Sequence, residues 1–412
     1  MSADNVWLLI AAALVIFMTP GVAFFYGGLV KSKSVVSMMM LSFGALGLIS
    51  VLWVLYGYNM GGLESSGFNH LVGNPFSDVG LLDSATGKGD VNIISVIFDG
   101  SFAIITVALV SGAIADRARF WPWMIFAGVW GTLDYFIVKG WVWNADNGWI
   151  FNFGSTGTLD WAGGTAVHIN AGAAALALAL VLGRRKAGFS KEEAQPHNVP
   201  LVLIGTAILW FGWFGFNAGY NGGSDAGAGL IALNTLVAPA AAMLGWLVVE
   251  QLKEGKATAV GAASGVVAGL VAITPACAHL NPVWAIVLGI LAGVVCAFAI
   301  DLKFKLGFDD TLDVVGIHMV GGFIGCWFLG FFAEYLPGAK GVDKIDTGLF
   351  MGGNADQLVA QVVCSLAVAA FSFITAFVIG LAIEKTIGFR AKEEDEIAGI
   401  DTVLHGEGYA IN

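Results

Sequence analysis

Two histidines occupy matching positions in long apolar segments of this sequence. His168 lies eight residues after Asp160, and His318 lies eight residues after Asp310. Ionisable side chains in such segments are costly and usually face a cavity or each other. One histidine of this kind is equally well explained as a packing residue, but two in the same setting favour a shared pore or site. For the two aspartates, capping of a helix start is the simplest interpretation.

The composition of the chain indicates a membrane protein. Of its 412 residues, 57% are apolar and 12% are charged, whereas soluble domains are about 45–50% apolar and about 25% charged. Such a chain cannot cover a water-facing surface. The composition therefore excludes a disordered protein, a disulfide scaffold and a protein that binds nucleic acid through a basic face.

Eleven apolar runs are long enough to form spanning helices, which need about 20 residues each. They lie near residues 6–28, 35–60, 91–114, 120–140, 162–183, 198–220, 227–252, 257–277, 283–303, 315–335 and 357–388. Long unbroken runs are typical of helices and not of β-barrel strands. We predict an all-α polytopic membrane protein, with a membrane domain over residues 1–388 and a tail over residues 389–412.

The two histidines also divide the runs into two sets. His168 lies in the fifth run and His318 in the tenth, so each ends a half of five helices. Because five is odd, the halves have opposite orientations in the membrane. Inverted repeats of this kind place a shared site near the bilayer midplane, between the halves. The eleventh run is then an extra C-terminal helix.

The basic residues predict the orientation of the chain. Fifteen of the 19 lysines and arginines follow odd-numbered runs, and the other four are Lys88, Lys139, Lys340 and Lys344. Basic residues near the ends of spans are held on the cytoplasmic side. We therefore expect the N-terminus outside the cell and the tail in the cytoplasm.

Glycine is frequent within the runs, with 57 in the chain. Several recur every four residues, as at Gly261, Gly265 and Gly269, or at Gly289 and Gly293. Small residues at this spacing let helix backbones approach closely in a membrane. We expect nearly all of these glycines to serve helix packing.

Aromatic residues cluster at the ends of runs that are expected to face outside. Phe98 and Phe102 lie in the outer part of the third run, Phe216 near the end of the sixth, and Trp143 just after the fourth. An aromatic belt at the lipid surface explains them. A vestibule in which the rings hold a small cation by cation–π attraction explains them equally well.

Four motifs resemble the ammonium transporter (Amt) family, bacterial Amt type. They lie at residues 18–28, 160–170, 212–217 and 273–276, and the resemblance extends to the tail. It implies eleven helices, two inverted halves of five plus one, and transport of ammonium or ammonia for nitrogen uptake. It also implies a homotrimer with one pore per subunit in the lipid bilayer of the plasma (bacterial inner) membrane. No enzyme activity, cofactor, metal or nucleic-acid partner is expected.

The resemblance assigns roles to individual residues of the pathway. His168 and His318 match the twin-histidine pair of the pore, and Phe102 and Phe216 match the phenylalanine gate. The external ammonium site is matched by Phe98, Trp143 and Asp160. Two further pore positions are matched by Trp213 and Thr274.

Two positions depart from the family pattern. A serine that accepts a hydrogen bond from ammonium in many members is missing, and Tyr220 or Ser224 is left to supply a hydroxyl. The frequent glutamine beside the first phenylalanine is here Asp99. An acid at this depth either raises the affinity for a cation or pairs locally.

The implied mechanism follows from solvation. Moving a bare ammonium ion into a dry apolar pore costs on the order of tens of kcal/mol, whereas neutral ammonia avoids this cost. The cation is therefore expected to lose a proton near the gate and to cross as ammonia. Potassium cannot lose a proton and is refused. Whether the released proton also crosses stays open.

The tail resembles the regulatory C-terminal region of the family, which engages a PII-type signalling protein. A solvated charged tail is the simpler alternative.

Two other functions compete with transport. An ammonium sensor with little or no flux usually carries a fused signalling domain, for which residues 389–412 offer little room. An intramembrane enzyme that uses the histidine pair lacks a third ligand or a nucleophile.

Overall fold

Nine helices are long and apolar enough to cross a membrane, counted over the residues that the computed structural model describes. Those residues are 1–65, 68–89, 91–186, 188–191, 193, 195–220, 225–334, 336 and 347–409. The nine helices are α1 (Ala3–Leu29), α2 (Val35–Met60), α3 (Ile93–Ile114), α5 (Gly164–Leu182), α6 (Val199–Ala218), α7 (Gly227–Glu254), α9 (Pro282–Leu306), α10 (Val315–Phe332) and α11 (Asp356–Thr386).

The other two predicted runs are helical as well. The run numbered α4 covers residues 120–143 and consists of Phe120–Trp130, a π-helical turn Gly131–Tyr135, and Phe136–Trp143. The run numbered α8 is the shorter helix Ala259–Ile273. All-α architecture is therefore confirmed, while eleven crossings stay a prediction.

The repeat that the histidines suggested is visible in the backbone before α5 and α10. Three residues after Asp160, Gly163 has φ of 113°, and three residues after Asp310, Asp313 has φ of 62°. Glycine, and less often aspartate, adopts this left-handed region. Each helix then opens with a π-helical segment that carries the histidine, Gly164–Ile169 in α5 and Val315–Met319 in α10.

The glycines at four-residue spacing lie at close helix contacts, as predicted. A methyl group on Gly289 would collide with the carbonyl of Ala238, and one on Gly293 with the carbonyl of Ala242. These contacts join α9 to α7. Gly269 lies in the same way against Pro239, which joins α8 to α7.

The loops after odd-numbered helices meet the tail at one end of the bundle. The Arg119 amide donates to the Phe389 carbonyl at 3.0 Å, and the Asp401 amide donates to the Lys33 carbonyl at 3.0 Å. The Lys186 amide donates to the Glu396 carboxylate. Two short helices form the tail, α12 (Glu393–Ala398) and α13 (Ile400–His405). Lys340 and Lys344 lie outside the described residues.

A buried charged cluster precedes α10 at the same end. Arg185 contacts Asp309 at 2.9 Å and Asp116 at 3.1 Å. Burial alone would raise the pKa of Asp309, but the charges of Arg117 and Arg185 bring that pKa below its usual value. Asp309 therefore keeps its charge and ties the start of α10 to the loop after α5.

Candidate conduction pathway

The two matched histidines contact each other in the middle of the bundle. Their Nδ1 atoms lie 3.2 Å apart, and their ring centroids 5.3 Å apart. The residues are only 1% and 5% exposed. One Nδ1 must donate and the other accept, because a neutral imidazole has one nitrogen of each kind. The Nε2 atom of His168 is buried and has no partner among the described residues.

Two glycines bring the helices of the histidines together. Gly172 follows His168 by four residues, and its missing side chain leaves room for Met319, directly after His318. Gly322 follows His318 by four residues and leaves the same room for Ile169, directly after His168. The crossing of α5 and α10 therefore has the two-fold pattern of an inverted repeat. Sequence reasoning missed both glycines, although their equal offset from the histidines was a signal.

Asp160 binds the backbone at the start of α5. Its two carboxylate oxygens accept hydrogen bonds from the amides of Gly163, Gly164, Thr165 and Ala166, at 2.5 to 3.0 Å. The carbonyl of Asp160 accepts a bond from Trp143 Nε1 at 2.8 Å. Asp160 thus fixes the segment that carries His168 and orients the indole of Trp143.

Asp310 binds the start of α10 with fewer contacts. Its Oδ2 accepts a bond from the Val315 amide at 2.7 Å, the same offset as from Asp160 to Thr165. Its Oδ1 has no partner among the described residues. The capping interpretation therefore fits both aspartates, with the stronger cap at Asp160.

The predicted gate residues stack on each other. The rings of Phe102 and Phe216 have centroids 4.1 Å apart and planes inclined by 28°. Phe98 lies 4.9 Å from Phe102, and Trp143 lies 5.8 Å from it, both in edge-to-face geometry. Helices α3, α4 and α6 therefore bring these four aromatic rings into one cluster.

Trp213 connects the aromatic cluster with the histidines. Its ring stacks against His168 with centroids 5.5 Å apart and lies 5.3 Å from Phe216. Its Nε1 donates to Thr274 Oγ1 at 2.8 Å, and that hydroxyl donates to the Leu270 carbonyl. Thr274 therefore orients Trp213. Trp213 and the two histidines line a cavity, and Thr274 is not one of its lining residues.

A narrow cavity lies below the stacked phenylalanines. His168, His318, Trp213 and Phe216 line it together with side chains that are almost all apolar: Met18, Val22, Phe25, Tyr26, Ile105, Leu109, Val167, Leu209 and Val267. The phenol of Tyr26 donates to the Leu109 carbonyl at 3.1 Å. The two histidines are thus polar residues in an otherwise largely apolar cavity.

The two unusual positions lie at the far side of the aromatic cluster. Tyr220 is 66% exposed and follows Gly219, which packs against Phe98. Ser224 lies outside the described residues. Asp99 forms an ion pair with Lys139, Oδ2 to Nζ 2.9 Å. Asp99 therefore pairs locally, with a partner that sequence reasoning did not identify, while its effect on cation affinity stays a prediction.

The comparison with protein families agrees with this geometry. The family described as "Ammonium Transporter Family" matches residues 6–409. The chain belongs to the ammonium transporter family.

Relatives in this family extend over nearly the whole chain. The ammonium transporter of Mycobacterium tuberculosis is 48% identical, over 98% of this chain and 90% of that protein. The ammonium transporter of Bacillus subtilis is 41% identical, over 98% of this chain and 97% of that protein.

Solved structures of the family have the same fold. The crystal structure of Candida albicans Mep2 has a TM-score of 0.86 at 34% identity, over 95% of this chain and 87% of that one. A structure named "Sensor Amt Protein" has a TM-score of 0.87 at 26% identity, over 98% of each chain. Transporters and a sensor therefore share this ammonium transporter fold.

Proposed function

We propose that this chain transports ammonium nitrogen across a membrane, taking up the cation at the aromatic cluster and conducting ammonia past His168 and His318. One observation carries the proposal. Below a stacked pair of phenylalanines, His168 and His318 line an apolar cavity, and the buried Nε2 of His168 has no partner among the described residues. A small neutral solute with both donor and acceptor groups suits such a passage.

The aromatic faces supply the outer cation site. Phe98, Phe102 and Trp143 offer ring faces to which an ammonium ion is attracted by the ring quadrupole. Asp160 does not touch the cation, because its carboxylate already accepts four backbone bonds. Its negative charge nevertheless favours a cation nearby. Tyr220 contributes a hydroxyl at the mouth.

The phenylalanine gate selects the neutral species. A charged ion between Phe102 and Phe216 would lose its water without gaining polar partners, at a cost on the order of tens of kcal/mol. Ammonium escapes this cost when it transfers a proton to water at the outer mouth before the gate, so that only ammonia enters. Potassium has no proton to release, and the gate refuses it.

The histidine pair then guides ammonia by hydrogen bonding. Since one Nδ1 donates to the other, one ring has a bare Nε2 and the other a protonated Nε2. The passage therefore offers one acceptor and one donor in sequence. Ammonia both donates and accepts, so it exchanges partners between the rings without a charged intermediate.

Proteoliposomes given an ammonium pulse test the proposal, with current and internal pH recorded together. Internal alkalinisation without current indicates that neutral ammonia crosses alone. A current that grows with ammonium but not with potassium indicates that a proton or the cation crosses as well. No flux despite measurable binding contradicts transport.

The same experiment decides the second candidate, an ammonium sensor with little or no flux. The resemblance to the structure named "Sensor Amt Protein" over 98% of both chains favours this candidate. A sensor would bind ammonium in the proteoliposomes, but neither current nor internal pH would change.

The location and partners remain part of the proposal. We propose a multi-pass protein of the cell membrane, with the N-terminus outside and residues 389–412 in the cytoplasm as a regulatory tail. The contacts of Lys33, Arg119 and Lys186 with the tail support a common cytoplasmic end. The homotrimer and the PII-type partner that the family resemblance implies stay predictions.

A further inference from the structure

An ion pair lies beside the aromatic cluster at the outer mouth. Lys139 Nζ is 2.9 Å from Asp99 Oδ2, and the two side chains are 15% and 31% exposed. The same ammonium group lies over two rings of α2, 5.8 Å from the centroid of Trp53 and 5.3 Å from that of Tyr58. The lysine is thus a tethered cation held by two aromatic faces and one carboxylate.

Both members of the pair adjoin residues of the proposed cation site. Asp99 directly follows Phe98 in α3, and Lys139 lies one helical turn before Trp143 in α4. The fixed positive charge is therefore close to the place where an ammonium ion would bind.

We propose that the Asp99–Lys139 pair sets the affinity of the outer site for ammonium, because Asp99 cancels a fixed cation that would otherwise repel the substrate. This inference rests on the proposed function, since it needs a cation at the aromatic cluster. Lys139 is then a tuning residue that opposes cation binding. Neither residue touches the substrate.

The expected size of the effect follows from Coulomb's law. One uncompensated unit charge about 10 Å from a bound cation changes its affinity roughly two- to fifteenfold, for an effective dielectric constant between that of water and that of a protein surface. The sign depends on which member of the pair is removed. A purely structural role would instead make both single substitutions act in the same direction.

The test compares the wild type, Asp99→Asn, Lys139→Met and the double variant in proteoliposomes. The ammonium concentration at half-maximal flux is measured at low and high sodium chloride. Asp99→Asn leaves the lysine unpaired and should raise that concentration two- to fifteenfold. Lys139→Met replaces the ammonium group with an apolar side chain of similar length, leaves the carboxylate of Asp99 unpaired, and should lower that concentration. The double variant should return to within twofold of the wild type, and salt should shrink both shifts.

Two controls keep the outcome decisive. Ammonium binding to each variant is also measured in detergent by tryptophan fluorescence. Asp99→Asn should weaken binding and Lys139→Met should strengthen it, even when no variant conducts. If no variant conducts but the two single substitutions change the ammonium affinity in opposite directions, the proposed transport is contradicted and this inference is supported. Asp99→Ser, which also leaves Lys139 unpaired, replaces Asp99→Asn if that variant does not fold. The exchanged pair Asp99→Lys with Lys139→Asp restores neutrality and should stay within twofold of the wild type. Shifts of equal sign, or no shift, in the two single variants would overturn the inference.

Discussion

The Nδ1 atoms of His168 and His318 lie 3.2 Å apart at the crossing of α5 and α10. The two residues are 150 positions apart in sequence, and each occupies the same place in its half of the chain. Both residues line an apolar cavity, and the buried Nε2 of His168 has no partner among the described residues.

Replacing His168 with leucine should reduce ammonia flux by about fivefold. Leucine fills a similar volume, but a passing molecule loses a hydrogen bond worth about 1 kcal/mol. Internal pH in proteoliposomes after an ammonium pulse gives the rate. His279→Leu is the matched control, because His279 is equally buried but does not line the cavity. If His168→Leu conducts like the wild type, His168 does not act in the pore.

Replacing Phe102 with alanine should admit hydrated ions. The change removes one ring of the stacked pair with Phe216 and opens a path for water, so the solvation barrier to potassium falls. Potassium-driven current, near zero in the wild type, should become measurable. Phe373→Ala serves as the control, because Phe373 stacks on Phe377 in α11 and not on Phe102 or Phe216. A variant at Phe102 that still refuses potassium would argue against the gate.

Asp160→Asn should destabilise the protein more than Asp310→Asn. The asparagine side chain has one acceptor oxygen for the four backbone N–H donors, and its NH₂ group would face the donors left without a partner. We expect the free energy of unfolding to fall by about 2–4 kcal/mol. Asp310 accepts from Val315, and its Oδ1 has no partner in the described part of the chain. We expect a loss of about 1 kcal/mol there. Thermal unfolding in detergent compares the two variants, and equal losses would contradict the difference in capping.

Gly172→Ala should separate the two histidines. An added methyl carbon would lie 2.6 Å from the backbone nitrogen of Met319, so α5 and α10 must move apart. Overpacking of this kind costs about 1–3 kcal/mol, and flux should fall with the loss of the histidine contact. Gly229→Ala in α7 is the control, since no described atom lies within 4 Å of a methyl group added there. Unchanged stability and flux at Gly172 would show that the crossing tolerates a side chain.

Asp401→Ala should release the tail from the start of α2. Asp401 accepts bonds from the amides of Val36 and Ser37 at 3.0 and 2.8 Å, a cap worth about 1 kcal/mol. Hydrogen exchange of α13 and of the first turn of α2 should become several-fold faster. Glu394→Ala, at an exposed position of α12, should leave exchange unchanged. Equal exchange in the two variants would mean that other contacts hold the tail.

The sequence was sufficient for the class of fold and for the two histidines that meet inside the bundle. Apolar runs report directly on spanning helices, because each helix satisfies its own backbone hydrogen bonds in lipid. The eight-residue offsets from Asp160 to His168 and from Asp310 to His318 are local features, so they could be read before any contact was known. The capping role of both aspartates followed from the same local chemistry.

Only the tertiary structure decided which side chains meet. The distance between the histidines depends on how closely α5 and α10 cross, and that depends on Gly172 and Gly322, whose neighbours lie in the other half of the chain. The partner of Asp99 is Lys139, 40 residues away on another helix. Hydropathy predicts that helices form, whereas their rotation and crossing come from packing against distant segments. A pattern within one segment therefore cannot specify these contacts.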